Sequence, residues 1–113
     1  MQINRNLALE HVDGDSRLLA DLALIFVEDC SRLVDKLRHS IGEGDRIAVE
    51  RIAHSLKGRL AFFGMERERE LALKLEVSGR QGKFAEARRL MTELDMKIET
   101  AMPEFAALAD DAG

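Results

Sequence analysis

The sequence predicts an all-α protein, an up-down-up-down antiparallel four-helix bundle with a short N-terminal lid helix. Three observations lead there. Apolar residues recur with a period of 3.6 over four long segments. Period-two alternation is absent and turn dipeptides do not recur at hairpin spacing, so strands find no support. The breaks between segments are short, which makes consecutive helices antiparallel neighbours.

Each element has its own signature. Ahead of the long segments, Ile3, Leu7 and Val12 predict a short helix covering one end of the bundle. Asp13-Gly14-Asp15-Ser16 opens the first long helix, with Asp15 or Ser16 able to cap its free N–H groups. Leu19, Leu22, Phe26, Cys30, Leu33, Leu37 and Ile41 follow in steps of three or four, all on one face. Gly42-Glu43-Gly44-Asp45 breaks this helix, and Asp45 is the candidate cap of the next.

The second helix carries Val49, Ile52, Ala53, Leu56, Leu60 and Phe63 and stops at Gly64. A third runs from about Glu66 to Gly79, with Leu71, Leu75 and Ser78 or Gly79 on a narrow inner face, and Gly82-Lys83 forms the next turn. The fourth presents Phe84, Ala87, Met91, Leu94, Ile98 and Met102 before Pro103, which is expected to end or kink it. Phe105 and Leu108 extend the same face beyond the proline. The acidic tail Asp110-Asp111-Ala112-Gly113 is expected to fray.

Composition narrows the function classes. A chain of 113 residues argues for one domain, residues 1–113, with a core spanning about 7–108. Seventeen basic against 21 acidic residues give a net charge of −4, and no basic stripe appears, so nucleic acid is not an expected partner. The lone Cys30 excludes an internal disulfide and fits a reducing compartment. The longest apolar run, Leu22 to Val27, falls far short of the ~20 residues that span a bilayer. The first six residues carry no apolar core of a secretory signal. These features predict a soluble, cytoplasmic single domain, with a monomer as the default state.

Three histidines are present: His11, His39 and His54. None lies four residues from another and Cys30 has no cysteine companion, so no zinc site is expected. His54 stands out by direction. At ~100° per residue it projects roughly 150° from the centre of its helix's apolar stripe, away from the core. An ordinary solvated histidine would do the same, but its neighbours weigh against that reading. Lys57 and Gly58, three and four residues on, adjoin the imidazole, and Ala61 continues the face with another small side chain. Glycine inside a helix costs about 1 kcal/mol relative to alanine. A sequence that accepts this beside an exposed histidine points to close access to the ring.

Ala53-His54-Ser55-Leu56-Lys57-Gly58 followed by Phe63-Gly64 resembles the signature of histidine-containing phosphotransfer (Hpt) domains of two-component phosphorelays. Gly14-Asp15, Gly44-Asp45 and Leu75-Glu76 fall where that family has similar residues, so the likeness covers roughly Leu7 to Leu108. The resemblance implies a phosphorelay intermediate. His54 would accept a phosphoryl group from a receiver-domain aspartyl phosphate and pass it to another receiver. Receiver domains and a hybrid histidine kinase would be the partners, and the receiver would bring the Mg²⁺. No kinase or phosphatase activity of its own is implied. The chemistry suits the residue, because an imidazole with the ordinary pKa of about 6.5 is available as a neutral nucleophile near pH 7.

The resemblance also assigns supporting roles. Lys57 would offset phosphoryl charge, and Gly58 and Ala61 would let the partner approach. With the hairpin reflected about Met65, His54 lies level with Glu76, where the family often has Gln or Glu to orient the ring. Arg80, one turn on, would steady the phosphoryl group, the plainer alternative for both residues being an exposed i, i+4 salt bridge. Ala61, Phe62, Ser55 and Arg51 are the candidate docking residues.

Two positions depart from the family pattern, which more often has small residues at Arg59 and Leu60. Leu60 is absorbed by the core stripe. Arg59 is expected beside that stripe and away from His54, either solvated or selecting partners. Phe62 projects nearly opposite the core, as a docking anchor or as end-of-helix packing. Two further classes compete with the relay reading. One is a non-phosphorylated Hpt-like interaction module or kinase inhibitor, which the intact His54-Lys57-Gly58 group disfavours. The other, an autonomous enzyme, lacks any acid–base pair or cofactor motif.

Overall fold

Two helices of 28 residues set the length of the molecule. At ~1.5 Å per residue such a helix is about 42 Å long, and the long dimension of the protein is 43 Å. The computed structural model describes residues 1–111. Its elements are α1 (Arg5–His11), α2 (Ser16–Glu43), α3 (Arg46–Phe62), α4 (Glu66–Arg80) and α5 (Phe84–Asp111). α2 packs on α3, α3 on α4 and α4 on α5, and α5 closes the ring against α2. The long helices are therefore an antiparallel four-helix bundle, and α1 rests on α2 and α3 as the lid.

The caps explain the boundaries. Asp15 accepts a hydrogen bond from Leu18 N at the start of α2, and Asp45 does the same for Ala48 N at the start of α3. Gly44 ends α2 in the left-handed conformation (φ 67°), with Asp45 N bonded back to Ser40 O, so α2 runs through Gly42 and Glu43 before it stops. Gly64 (φ 65°) turns the chain between α3 and α4. A Cβ there would stand 2.5 Å from Asn4 Cβ, so this glycine also admits the N-terminal segment, whose Asn4 N bonds Phe63 O.

The core is aliphatic around a phenylalanine cluster. Phe26 stacks on Phe105 at 4.4 Å between ring centres, and Phe63 meets both edge-on at 4.9 and 5.0 Å. This cluster ties α2, the end of α3 and α5 together. Of the expected core positions, Leu7, Leu22, Leu33, Ile52, Phe84 and Met102 are only half-buried. Ala8, Ala20, Ala23, Val34, Ala72, Leu90 and Ala101 are buried as well. The buried face of each helix is wider than a strict large-apolar stripe, because alanines let neighbouring helices approach.

One expectation at the C-terminus needs correction. α5 runs through Pro103 instead of ending there. Proline in a helix interior costs about 3 kcal/mol. Beyond it Phe105 and Leu108 are buried, and each such burial returns roughly 1.5–3 kcal/mol, so packing carries the helix past the proline. The helix also takes in Asp110 and Asp111; Ala112 and Gly113 lie outside the described residues. Among the described residues no helix is long and apolar enough to cross a membrane.

Candidate functional site

Val49, Ala53, Leu56 and Leu60 bury one face of α3, and the helical repeat turns His54 to the other side, its side chain 66% exposed. Nearby, α4 comes unusually close. A Cβ on Gly79 would meet Val49 Cγ1 at 2.6 Å and Glu50 N at 3.0 Å, so only glycine permits this approach. One turn before Gly79 lies Glu76, which α4 carries against the side of α3 with its side chain 9% exposed.

Both carboxylate oxygens of Glu76 are engaged. Oε2 lies 2.8 Å from His54 Nδ1, and Lys57 Nζ donates to Oε1 at 2.7 Å. Burial pushes the Glu76 carboxyl up, but the hydrogen bonds and charges of Lys57 and His54 outweigh it and hold the group below its ordinary value. Glu76 is thus ionised at neutral pH and can only accept. Nδ1 of His54 must therefore donate, and the lone pair of a neutral ring resides on Nε2.

Gly58 contrasts with Gly79. Nothing lies within 4 Å of a Cβ built on Gly58, so no contact inside the protein calls for glycine here. Beside it, a groove of about 470 Å³ runs between α2 and α3, lined by Leu22, Ile25 and Phe26 on one side and by His54, Ser55, Gly58 and Phe62 on the other. Asp29 and Arg59 also line it. Arg59 donates from Nε and Nη2 to Asp29 Oδ2 at 3.4 Å each, and from Nη1 to Ser55 O at 3.1 Å.

The arrangement corrects two expectations. Arg59 is not set apart from His54; its long side chain crosses toward α2 and shares the groove with the imidazole. Phe62 is half-buried rather than exposed, its ring 4.8 Å from that of His11, whose Nδ1 lies 2.9 Å from Phe62 O. It packs the helix end and lines the groove at once. Neither Glu76 nor Arg80 makes the i, i+4 surface pair that is the plainer alternative for both. Arg80 donates to Glu50 Oε1 across the helices at 3.1 Å, one turn before His54 on α3. Of the other docking candidates, Ser55 lines the groove, whereas the exposed Arg51 and half-buried Ala61 do not.

Asp29 escaped the sequence reading, because an aspartate at the edge of an apolar stripe carries no motif; only the α2–α3 packing brings it to Arg59. Among the described residues no group of three or more His, Cys, Asp or Glu is arranged to hold a metal ion.

Comparison with known proteins decides the family. The sequence model of the Hpt domain matches residues 21–104, from α2 to α5 and through His54. The chain belongs to the Hpt domain family. Hpt domains serve histidine phosphotransfer in phosphorelays with receiver domains, as phosphocarriers and not as kinases. The Hpt fold is also that of histidine-containing phosphotransfer protein B from Pseudomonas aeruginosa PAO1. That structure superposes with a TM-score of 0.76 at 22% identity, covering 96% of this Hpt chain and 88% of the other. No curated protein matches the sequence.

Proposed function

We propose that this Hpt domain carries the phosphoryl group on Nε2 of His54, taking it from the aspartyl phosphate of one receiver domain and delivering it to the aspartate of another. A hybrid histidine kinase would feed the relay, which operates in the cytoplasm. The observation that carries the reading is the 2.8 Å contact between His54 Nδ1 and the buried Glu76 carboxylate. It holds the ring in one tautomer and one orientation and leaves the nucleophilic nitrogen on the exposed edge.

The remaining side chains have roles that follow from their positions. An ammonium has three donors, and Lys57 spends one on Glu76, so the others are available to incoming phosphoryl oxygens. Gly58 leaves space for the partner's backbone close to the ring. Arg80 sits one turn away, where release from Glu50 would bring a guanidinium toward the phosphoryl group. Ser55 and Phe62 in the groove, with Ala61 and Arg51 near it, form the docking surface, and Arg59 with Asp29 gives that surface its polar edge. Phosphoryl transfer depends mainly on positioning and charge stabilisation, and Mg²⁺ is expected on the receiver.

Incubation with a phosphorylated receiver and Mg²⁺ tests the reading. The wild type gains an acid-labile phosphate and His54→Gln does not. Equal labelling of the two proteins, or none in either with several receivers, refutes the assignment and favours a non-phosphorylated module.

A further inference from the structure

We propose that the Glu76 carboxylate keeps a proton on Nδ1 of the phosphorylated His54 ring, and so sets how readily the phosphoryl group leaves. The inference rests on His54 being the phosphoacceptor, and it concerns the loaded state, beyond the orientation of the free ring.

In the loading step the Nε2 lone pair forms the N–P bond. The P–O bond of the donor acyl phosphate breaks, and its electron pair departs on the donor carboxylate. Nδ1 loses no proton, so the ring becomes positively charged. In the onward step an acceptor carboxylate oxygen bonds phosphorus and the N–P electron pair returns to Nε2. If Nδ1 still holds its proton, the departing group is neutral imidazole. If that proton has gone, the departing group is imidazolate, a much stronger base and a much poorer leaving group. A carrier that must unload therefore benefits from a protonated Nδ1.

Glu76 is placed to hold that proton. Its Oε2 is 2.8 Å from Nδ1 and its side chain is only 9% exposed, while the imidazole is 66% exposed, so solvent screens the contact from the ring side only. Lys57 on the other oxygen favours the ionised carboxylate. The neighbouring charges are largely paired off. On the α3–α4 side Glu50 meets Arg80. Across the groove Asp29 of α2 takes both Arg59 and Arg32, and Arg51 of α3 is exposed. An opposite charge at contact distance moves a titration by about 1–3 pH units. Since Lys57 draws off part of the Glu76 charge, about one unit is expected here.

The test uses the full chain labelled with potassium phosphoramidate, which phosphorylates accessible imidazoles without any receiver. Loss of phosphohistidine is followed by ³¹P NMR from pH 5 to 9 for wild type and Glu76→Gln, with His54→Gln identifying signals from His11 and His39. The expected result is a labile limb that reaches about one pH unit higher in the wild type, so that at pH 8 it loses phosphate about tenfold faster than Glu76→Gln. Superimposable profiles, or a uniform rate change with an unmoved midpoint, overturn the proposal and leave Glu76 an orienting group only. A second measurement needs no variant: ¹⁵N spectra of the phosphorylated wild type at pH 8 should show Nδ1 protonated, and a deprotonated Nδ1 refutes the proposal. Because no receiver takes part, failure here is separate from failure of the relay assay.

Discussion

His54 and Glu76 are 22 residues apart in sequence, yet Nδ1 of one stands 2.8 Å from Oε2 of the other. The contact exists because α4 leans on α3 at Gly79, where a methyl group would strike Val49. Two glycines therefore serve this site in opposite ways: Gly79 for packing inside the protein, Gly58 for space outside it.

Their alanine variants should separate these roles. Gly58→Ala adds a methyl group in open space and removes the entropic penalty of a helical glycine, so it should stabilise the protein by about 1 kcal/mol. It should also slow phosphotransfer from a receiver. Gly79→Ala should destabilise by about 1–3 kcal/mol through overpacking. Thermal melts and a transfer assay on both proteins check the signs.

The Glu76 carboxyl also links stability to acid. Its titration is held below its ordinary value of 4.5 in the folded protein. The ionised group therefore contributes stability that is fully present above that value and is lost as pH falls through the folded-state value. Wild type should lose melting temperature faster than Glu76→Gln as pH drops below about 4.5. Parallel acid limbs would show that the carboxylate contributes nothing to stability.

Cys30 predicts behaviour at the other end of the scale. It is 1% exposed, and burial pushes its thiol up to about 12, with Arg59 opposing and Asp29 reinforcing the shift. The native protein should react with a thiol reagent only as fast as it opens, and promptly in denaturant. The unfolded chain ionises its thiol first, so this contribution is complete below pH 9.0 and is lost as pH climbs toward 12. Denaturant titrations across that alkaline range measure it.

The Arg59–Asp29 pair is half-exposed and long, so its net worth to the fold is at most about 1 kcal/mol. Arg59→Ala should leave the melting temperature nearly unchanged, yet weaken docking at a groove that also contains His54. The expected signature is a raised KM for the phosphorylated receiver with little change in the rate at saturation. A lowered saturating rate with unchanged KM would place Arg59 in the chemistry instead.

Pro103 is exposed within α5 and forfeits a backbone hydrogen bond to the preceding turn. Pro103→Ala should raise stability by up to about 3 kcal/mol, with no effect on transfer at the distant His54. Calorimetry beside the transfer assay tests both halves.

Much of this molecule is legible one helix at a time. The apolar period, the Asp15 and Asp45 caps and the glycine stops define the helices, because these are local effects of backbone geometry and hydrogen bonding. The direction of His54 is legible for the same reason, since a helical wheel turns one residue away when its neighbours turn inward. The level match of His54 with Glu76 needs only an antiparallel hairpin with a known turn. What helix-by-helix periodicity cannot supply is the distance between faces of different helices. Burial of Glu76, the reach of Arg59 to Asp29, the packing of Phe62 on His11 and the passage of α5 through Pro103 all belong to that second category. They are decided by how closely helices pack and by long side chains choosing partners from another element, and those choices exist only once the bundle has closed.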